Sequence, residues 1–284
     1  AQRAIDKANC RDGEAIEYCL QHKKMEELAQ THPSLYQAYL LESQTPAKPE
    51  TNVAAKSGVV YTIPVVFHVL HQGGEENISM AQIQSALEVL NRDFRRLNSD
   101  ADNVNSDFTG MPADIEIEFA LATKAPNGTC FSGVTRTNTP LTFDGSDGGA
   151  QVSAVVNGND VYQGQWPPNE YLNVFVCDDI GGAAGYTFQP GGWTGTSMYF
   201  NGVFAQHSYT GSVGTSSIYT SRTLTHEVGH WLGLSHTWGN DNDPGISCGT
   251  DNVADTPQTR GVTSCNLNEN FCGPRANVET YMDY

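Results

Sequence analysis

Residues 226–236, which read HEVGHWLGLSH, restrict the fold of this chain more than any other feature. If they form a helix, His226 and His230 lie one turn apart on the same face, and both imidazoles can bind one metal ion. Ser221 is placed to N-cap such a helix. Apolar side chains recur along one side of it, at Leu224, Val228 and Leu232. The pattern predicts an anchored helix that supplies two ligands to one ion.

Three further residues of the same string favour catalysis. Glu227 projects about 100° around the helix from His226, so it can reach a water on the metal without binding the metal itself. Gly233 can end the helix in a left-handed conformation and return His236 to the ion. Three neutral imidazoles leave one coordination position open, as in catalytic zinc sites, whereas structural sites usually have four protein ligands. We therefore predict a zinc centre with Glu227 as the general base.

Strands and helices are predicted upstream of this motif. Residues 59–71 are rich in β-branched side chains, residues 115–122 alternate apolar and acidic side chains, and residues 171–177 are largely apolar, so each is expected to form a strand. Ser79 can N-cap a long helix. The apolar positions of that helix are Ile83, Leu87, Leu90 and Phe94. These patterns predict an α/β (α+β) fold.

The N-terminal part differs from the rest. Residues 12–43 carry two helical segments, the second with Pro33 in its first turn. Residues 43–57 contain two prolines, no aromatic side chain and no periodicity, which is typical of a linker. We expect a segment 1–55 and a domain 56–284.

Charge and cysteine content indicate the compartment and exclude some partners. The formal net charge of −17 disfavours nucleic acid and anionic membranes, and no apolar run is long enough to cross a bilayer. The N-terminus lacks the apolar core of a signal peptide, so the protein is cytosolic or its signal has been removed. Seven cysteines, three of them in one loop-rich region, favour an oxidising compartment. We expect a secreted protein whose signal peptide has already been removed.

The motif at 226–236 is that of the metzincin metallopeptidases. ETYMDY at the end of the chain resembles their methionine-containing turn, which places Met282 beneath the metal. YTIPVVFHVLH, VLNRDFRRLN, THEVGHWLGLSHTWG and DNVADTP, together with ETYMDY, resemble the pappalysin family of metzincins, especially its secreted bacterial members. This resemblance begins at about Lys56 and covers nearly all of the following chain.

The resemblance implies a zincin fold, with a twisted, mostly parallel five-stranded sheet, an active-site helix and an irregular lower subdomain. It implies that Tyr284 helps to stabilise the oxyanion, and that Gly185 and Tyr186 lie on an edge strand that binds substrate by strand addition. Metzincins continue past the methionine turn into a helix, so we expect a C-terminus truncated after that turn. The resemblance also implies a disulfide between Cys248 and Cys272, which leaves Cys265 without its usual partner.

CGTDNVADTPQT resembles the calcium-binding segment of the family. It implies Asp251, Asp255 and Thr256 as calcium ligands, since calcium prefers oxygen donors. The alternative is a solvated acidic loop.

Residues 1–55 resemble the pro-segment that keeps such enzymes latent. A Cys19 thiolate could occupy the open zinc position, with Cys10 as the other candidate. A disulfide between these two cysteines is the alternative. Activation would require a cut in the linker, near Lys48 or Lys56.

Together these features predict a secreted zinc endopeptidase that hydrolyses proteins or peptides through a zinc-activated water, in latent form and with Arg or Lys preferred at P1′. Its expected partners are substrates and its own pro-segment, and it is expected to be a monomer. Another metzincin subfamily is one alternative, although Thr237 matches neither the Glu of astacins nor the Pro of serralysins. The other is a binding module without catalysis, against which the presence of Glu227 argues.

Overall fold

The computed structural model describes residues 19–44, 58–190, 201–239, 243–264 and 266–284. Two short helices come first, α1 (Gln21–Thr31) and α2 (Pro33–Gln44), as the two helical segments predicted. Residues 1–18 and most of the expected linker, with Cys10, Lys48 and Lys56, lie outside the described residues, as does Cys265.

A mixed sheet forms the centre of the fold. Its strands are β1 (Tyr61–His71), β2 (Ile117–Leu121), β3 (Val134–Asn138), β4 (Leu172–Cys177), β5 (Gly185–Thr187) and β6 (Val203–Gln206). The order is β2-β1-β4-β6-β5, and all pairs are parallel except β5 with β6. The mostly parallel sheet expected from the sequence is therefore confirmed.

The described sheet has six strands rather than five, because two strands share one edge of β1. β2 pairs with Tyr61–Val65, and β3 pairs with Phe67–His71. The eleven residues of β1 are long enough for two strands of five residues each. The sheet is thus five strands wide, with the sixth strand placed end to end beside the second.

Helices cover both faces of the sheet. α3 (Met80–Phe94) and α5 (Thr223–Trp231) lie on one face, and α4 (Gly149–Gly158) lies on the other. Side chains of β1 alternate between the faces, since Val65, Phe67 and Val69 pack with α3 and α5, whereas Val66 and Leu70 pack on the opposite side. α1 packs on the same side of the sheet as α4, through Met25 and Leu28.

The ends of two helices test the local predictions. Ser79 caps α3 as expected, because its hydroxyl accepts a hydrogen bond from the amide of Gln82 at 3.2 Å. Ser221 does not cap α5: the N-cap is Arg222, and the Ser221 hydroxyl donates to the carbonyl of Ile218. Leu232 lies beyond the end of α5 and is 38% exposed, so of the three predicted apolar positions only Leu224 and Val228 are buried in the core.

Beyond His236 the described chain contains turns and isolated bridges rather than helices or strands. The disulfide Cys248–Cys272 joins two loop segments of this part, with a Cα–Cα distance of 5.8 Å. Val262, Ala276 and Val278 form a small core of their own there. This part corresponds to the irregular lower subdomain that the resemblance implied. None of the described helices combines the length and apolar character needed to cross a bilayer.

Candidate metal centre and active site

α5 and the turn after it bring three imidazoles together. The Nε2 atoms of His226 and His236 are 3.2 Å apart, and the Nε2 atom of His230 is 3.1 Å from each. Gly233 makes this possible, because its φ of +96° reverses the chain and its amide donates to the carbonyl of His230. Nitrogens that bind one zinc ion tetrahedrally at about 2.0–2.1 Å lie about 3.3 Å apart. The triangle therefore fits a zinc ion.

Backbone carbonyls orient two of the rings. Nδ1 of His226 donates to the carbonyl of Tyr281 at 2.6 Å, and Nδ1 of His230 donates to the carbonyl of Leu234 at 2.8 Å. Each hydrogen bond fixes the proton on Nδ1 and leaves Nε2 with its lone pair for a metal. The ring of His236 stacks on Trp238, with centroids 4.4 Å apart. Burial holds the pKa values of His230 and His236 well below the usual range, which keeps both rings neutral.

Glu227 is buried, on the same helix as His226 and His230. Burial raises the pKa of its carboxyl to about 8, against the lowering effect of the side chains of Cys19 and Thr187. A bound dication nearby would favour the carboxylate instead. Gly185 on β5 leaves room for it, since a Cβ there would lie 2.9 Å from both Cγ and Oε1 of Glu227. The side chain is thus confined next to the metal-binding triangle.

The methionine turn lies against α5. Met282 is buried, and a Cβ on Gly229 would overlap its sulfur, so the turn and the helix are in close contact. The carbonyl of Met282 accepts from the amide of Thr237. The ring centroid of Tyr284 is 5.2 Å from that of His236. Tyr284 therefore lies beside the triangle, and Met282 lies against the helix that carries His226 and His230.

A fourth side chain reaches the triangle from the N-terminal segment. The Sγ atom of Cys19 and one nitrogen of each of the three histidines all lie within 4.8 Å of one another. The Tyr284 hydroxyl donates to the Cys19 carbonyl at 2.9 Å, and the amide of Leu20 donates to the carbonyl of Gly185 at 3.1 Å. The edge of β5, which was predicted to bind substrate, is thus covered by this segment. Tyr186 is fully buried, and its hydroxyl donates a hydrogen bond to the carbonyl of Gly145.

Other contacts of the segment have no signal in the sequence. The Tyr39 hydroxyl on α2 donates to Gln189 Oε1 at 2.6 Å, and Gln189 Nε2 donates to the same Leu234 carbonyl that orients His230. Nε2 of His22 is 2.8 Å from Oδ1 of Asp243. These pairs join parts of the chain that are far apart in sequence.

The predicted calcium ligands lie on one turn outside the triangle. Asp251 Oδ1 accepts from the amide of Val253 at 3.0 Å, Asp255 is exposed, and Thr256 is half-buried. Among the described residues, only the group of Cys19 with the three histidines brings three or more His, Cys, Asp or Glu side chains into metal-binding range.

Known proteins are similar to this chain in both sequence and fold. Residues 156–284 match the M43 peptidase family, described as pregnancy-associated plasma protein-A. A promirolysin variant from Tannerella forsythia is 32% identical, with 94% of this chain and 87% of that chain covered and a TM-score of 0.74. The chain belongs to the M43, or pappalysin, family of metallopeptidases. This confirms the family and the metzincin fold that the motifs indicated.

Mature mirolysin in complex with a cleaved peptide is 37% identical to this M43 chain, with a TM-score of 0.69. The match covers 79% of this chain and 84% of the mirolysin chain. An extracellular metalloprotease of Colletotrichum graminicola is 37% identical over 119 residues, which are 40% of this chain and 41% of that protein. The chain thus spans about two fifths of the length of the first curated relatives that it matches.

Proposed function

We propose that this protein is a secreted zinc-dependent endopeptidase. The observation that carries the proposal is the near-equilateral triangle of Nε2 atoms, 3.1–3.2 Å on each side, with the buried Glu227 carboxyl beside it. Secretion is supported by relatives named as extracellular metalloproteases and by the disulfide Cys248–Cys272.

His226, His230 and His236 would hold the zinc ion, which supplies Lewis acidity to a water and to the scissile carbonyl. Glu227 accepts one proton from the attacking water as the water oxygen bonds to the carbonyl carbon. Glu227 then donates this proton to the amide nitrogen as the carbon–nitrogen bond breaks, which releases a free amine. The Tyr284 hydroxyl donates a hydrogen bond to the oxyanion between these two steps.

The position of Tyr284 supports this assignment. Its hydroxyl already donates to one peptide carbonyl next to the metal site, that of Cys19. A substrate carbonyl at the same place would accept the same hydrogen bond. Met282 supports the site by its packing against α5.

Casein hydrolysis by the activated protein tests the proposal. We expect a chelator to abolish hydrolysis, zinc to restore it, and Glu227→Gln to abolish it while zinc remains bound. Glu88→Gln, on the exposed side of α3, is the matched control and is expected to keep full activity. Undiminished hydrolysis by Glu227→Gln would contradict the mechanism. Zinc binding without any hydrolysis by the wild-type protein would favour a binding module.

The proposal extends to latency, with residues 1–55 as a pro-segment of the catalytic domain 56–284 and Cys19 as the switch. The closeness of Cys19 Sγ to the three histidines supports it. The promirolysin variant covers 94% of this chain, but mature mirolysin covers only 79%, which fits a removable N-terminal segment. A Cys10 switch, or a disulfide between Cys10 and Cys19, is the competing proposal.

Incubation of the purified chain with calcium, followed by sequencing of new N-termini, tests latency. We expect a product that begins near Lys48 or Lys56, with activity that rises in step. Full activity of the uncut chain would refute latency. Diagonal electrophoresis without reductant would reveal a Cys10–Cys19 disulfide if that alternative holds.

Three finer features complete the proposal. We propose a preference for Arg or Lys at P1′, as the family resemblance implies, and a peptide library that varies P1′ tests it. We propose that calcium binds at Asp251, Asp255 and Thr256 and stabilises their turn, so that calcium raises the melting temperature of wild type but not of Asp255→Asn. We propose that the protein is a monomer with protein or peptide substrates, which light scattering tests.

A further inference from the structure

Asp93, near the end of α3, is a buried carboxylate with two partners on α5. Its side chain is 0% exposed and pairs with Arg222, whose own side chain is 15% exposed. Its second oxygen accepts from the Thr225 hydroxyl at 2.7 Å. A buried charge is stable only when it is paired and hydrogen-bonded, so these contacts fix α3 against the first turn of the helix that carries His226.

Arg222 extends the connection to the methionine turn. The guanidinium carbon lies 5.8 Å from the centroid of the Tyr281 ring, and the Tyr281 hydroxyl accepts from Asn98 Nδ2 at 2.6 Å. The carbonyl of the same tyrosine accepts from His226 Nδ1 at 2.6 Å. Asp93 is thus connected to His226 twice, once through the helix turn and once through Tyr281.

A cavity of about 420 Å³ adjoins this region and is lined by Asp93, Asn98, Thr225, Tyr281 and Met282 among others. Close-packed surroundings restrict side-chain motion, and a cavity removes that restriction on one side. The position of Tyr281 therefore depends on its polar contacts more than it would in a filled core.

We propose that Asp93 is a positioning residue for the metal ligand His226. It holds Arg222 and Thr225 so that the first turn of α5 and the Tyr281 carbonyl present the His226 ring to the metal. The inference rests on the proposed zinc function. Loss of outer contacts to metal ligands typically costs 10–100-fold in metal affinity, and we expect the lower end because Asp93 acts through other residues.

The test compares zinc affinity in full-length Asp93→Asn and wild type by competition with a chelator. Asparagine keeps the size of the side chain and one acceptor for Thr225, but it removes the negative charge that pairs with Arg222. We expect the zinc dissociation constant to rise about tenfold. Asp114→Asn is the matched control, because Asp114 pairs with Arg95 just after α3 at 2.9 Å but is 39% exposed. Its zinc affinity is expected to stay within about twofold of wild type.

Thermal unfolding with and without zinc separates positioning from a merely structural role. Positioning predicts that the rise in melting temperature caused by zinc is smaller in Asp93→Asn than in wild type. An equal fall with and without zinc, together with wild-type zinc affinity, would overturn the proposal. Absence of zinc binding by wild type would overturn the proposed function as well, so the two failures are distinguishable.

Thr225→Val provides a second test in case Asp93→Asn does not fold. Valine keeps the shape of threonine and removes only the hydrogen bond to Asp93. We expect zinc affinity to fall about threefold, since one of the two connections remains. Unchanged zinc affinity in a folded Thr225→Val protein would contradict the proposal.

Discussion

Gly185→Ala is expected to displace the side chain of the proposed general base, Glu227, and to lower kcat while the metal site stays intact. A Cβ at this position would lie 2.9 Å from Cγ and from Oε1 of Glu227, and 3.1 Å from Cγ2 of Thr223. Carbon atoms in contact are normally at least about 3.5 Å apart, so the glutamate side chain must move by about 0.6 Å. The backbone φ of Gly185 is not positive, so alanine adds no backbone strain there.

The displacement of the Glu227 side chain can be converted into an expected fall in kcat. A misplacement of about 1 Å in an active site can cost about 100-fold, so about 0.6 Å predicts a fall in kcat of about tenfold. This corresponds to about 1.4 kcal/mol of activation free energy. The three atoms nearest to the new methyl group belong to Glu227 and Thr223 rather than to the histidines, so zinc content is expected to remain at one ion per molecule.

Steady-state hydrolysis of a fluorogenic peptide by the activated variant measures kcat and KM, and metal analysis of the same sample measures zinc. Gly149→Ala at the start of α4 is the matched control, because its nearest neighbour to a new Cβ is Asp147 Oδ1 at 3.5 Å. A kcat for Gly185→Ala within twofold of the control would contradict this prediction, as would a loss of zinc that accounts for the whole effect.

Three other variants, one of them a double substitution, give further predictions. Cys19→Ala in the full-length chain is expected to give measurable peptidase activity without a new N-terminus, and continued complete latency, with Cys130→Ala as control, would contradict the switch. Cys248→Ser with Cys272→Ser opens a loop with a sequence separation of 24 and is expected to lower the free energy of unfolding by about 3 kcal/mol; unchanged thermal unfolding would contradict this. Burial lowers the pKa of His68 to about 4, so protons favour the unfolded chain and the free energy of unfolding falls as pH drops from about 6.5 to about 4. His68→Gln is expected to reduce this slope, as denaturant titrations at several pH values would show.

Local patterns were sufficient to predict that the imidazoles of His226, His230 and His236 converge. His226, His230 and Gly233 act within one helix and the turn that ends it, where spacing alone decides which side chains share a face. The cap at Ser79 and the strand at 59–71 depend equally on neighbouring residues. These features could be predicted because each is determined within a few residues of chain.

Long-range partners could not be predicted from the sequence. Asp93 and Arg222 are 129 positions apart, and the N-cap of α5 is Arg222 rather than the predicted Ser221. Similarly, β2 pairs with the first half of one edge of β1, and β3 pairs with the second half of the same edge. Both pairings join residues that are far apart in sequence. Burial and charge pairing decide such features, and the sequence pattern does not contain that information.

Diffraction at the zinc absorption edge from crystals of the full-length chain would show whether zinc is bound and which side chains bind it. We predict one zinc peak, bonded by the Nε2 atoms of His226, His230 and His236 at about 2.0–2.1 Å and by the Sγ atom of Cys19 at about 2.3 Å. Absence of a peak at the triangle, or a peak whose ligands exclude one of the three histidines, would contradict the account of the metal site. A peak with water in place of Cys19 would contradict its latent form.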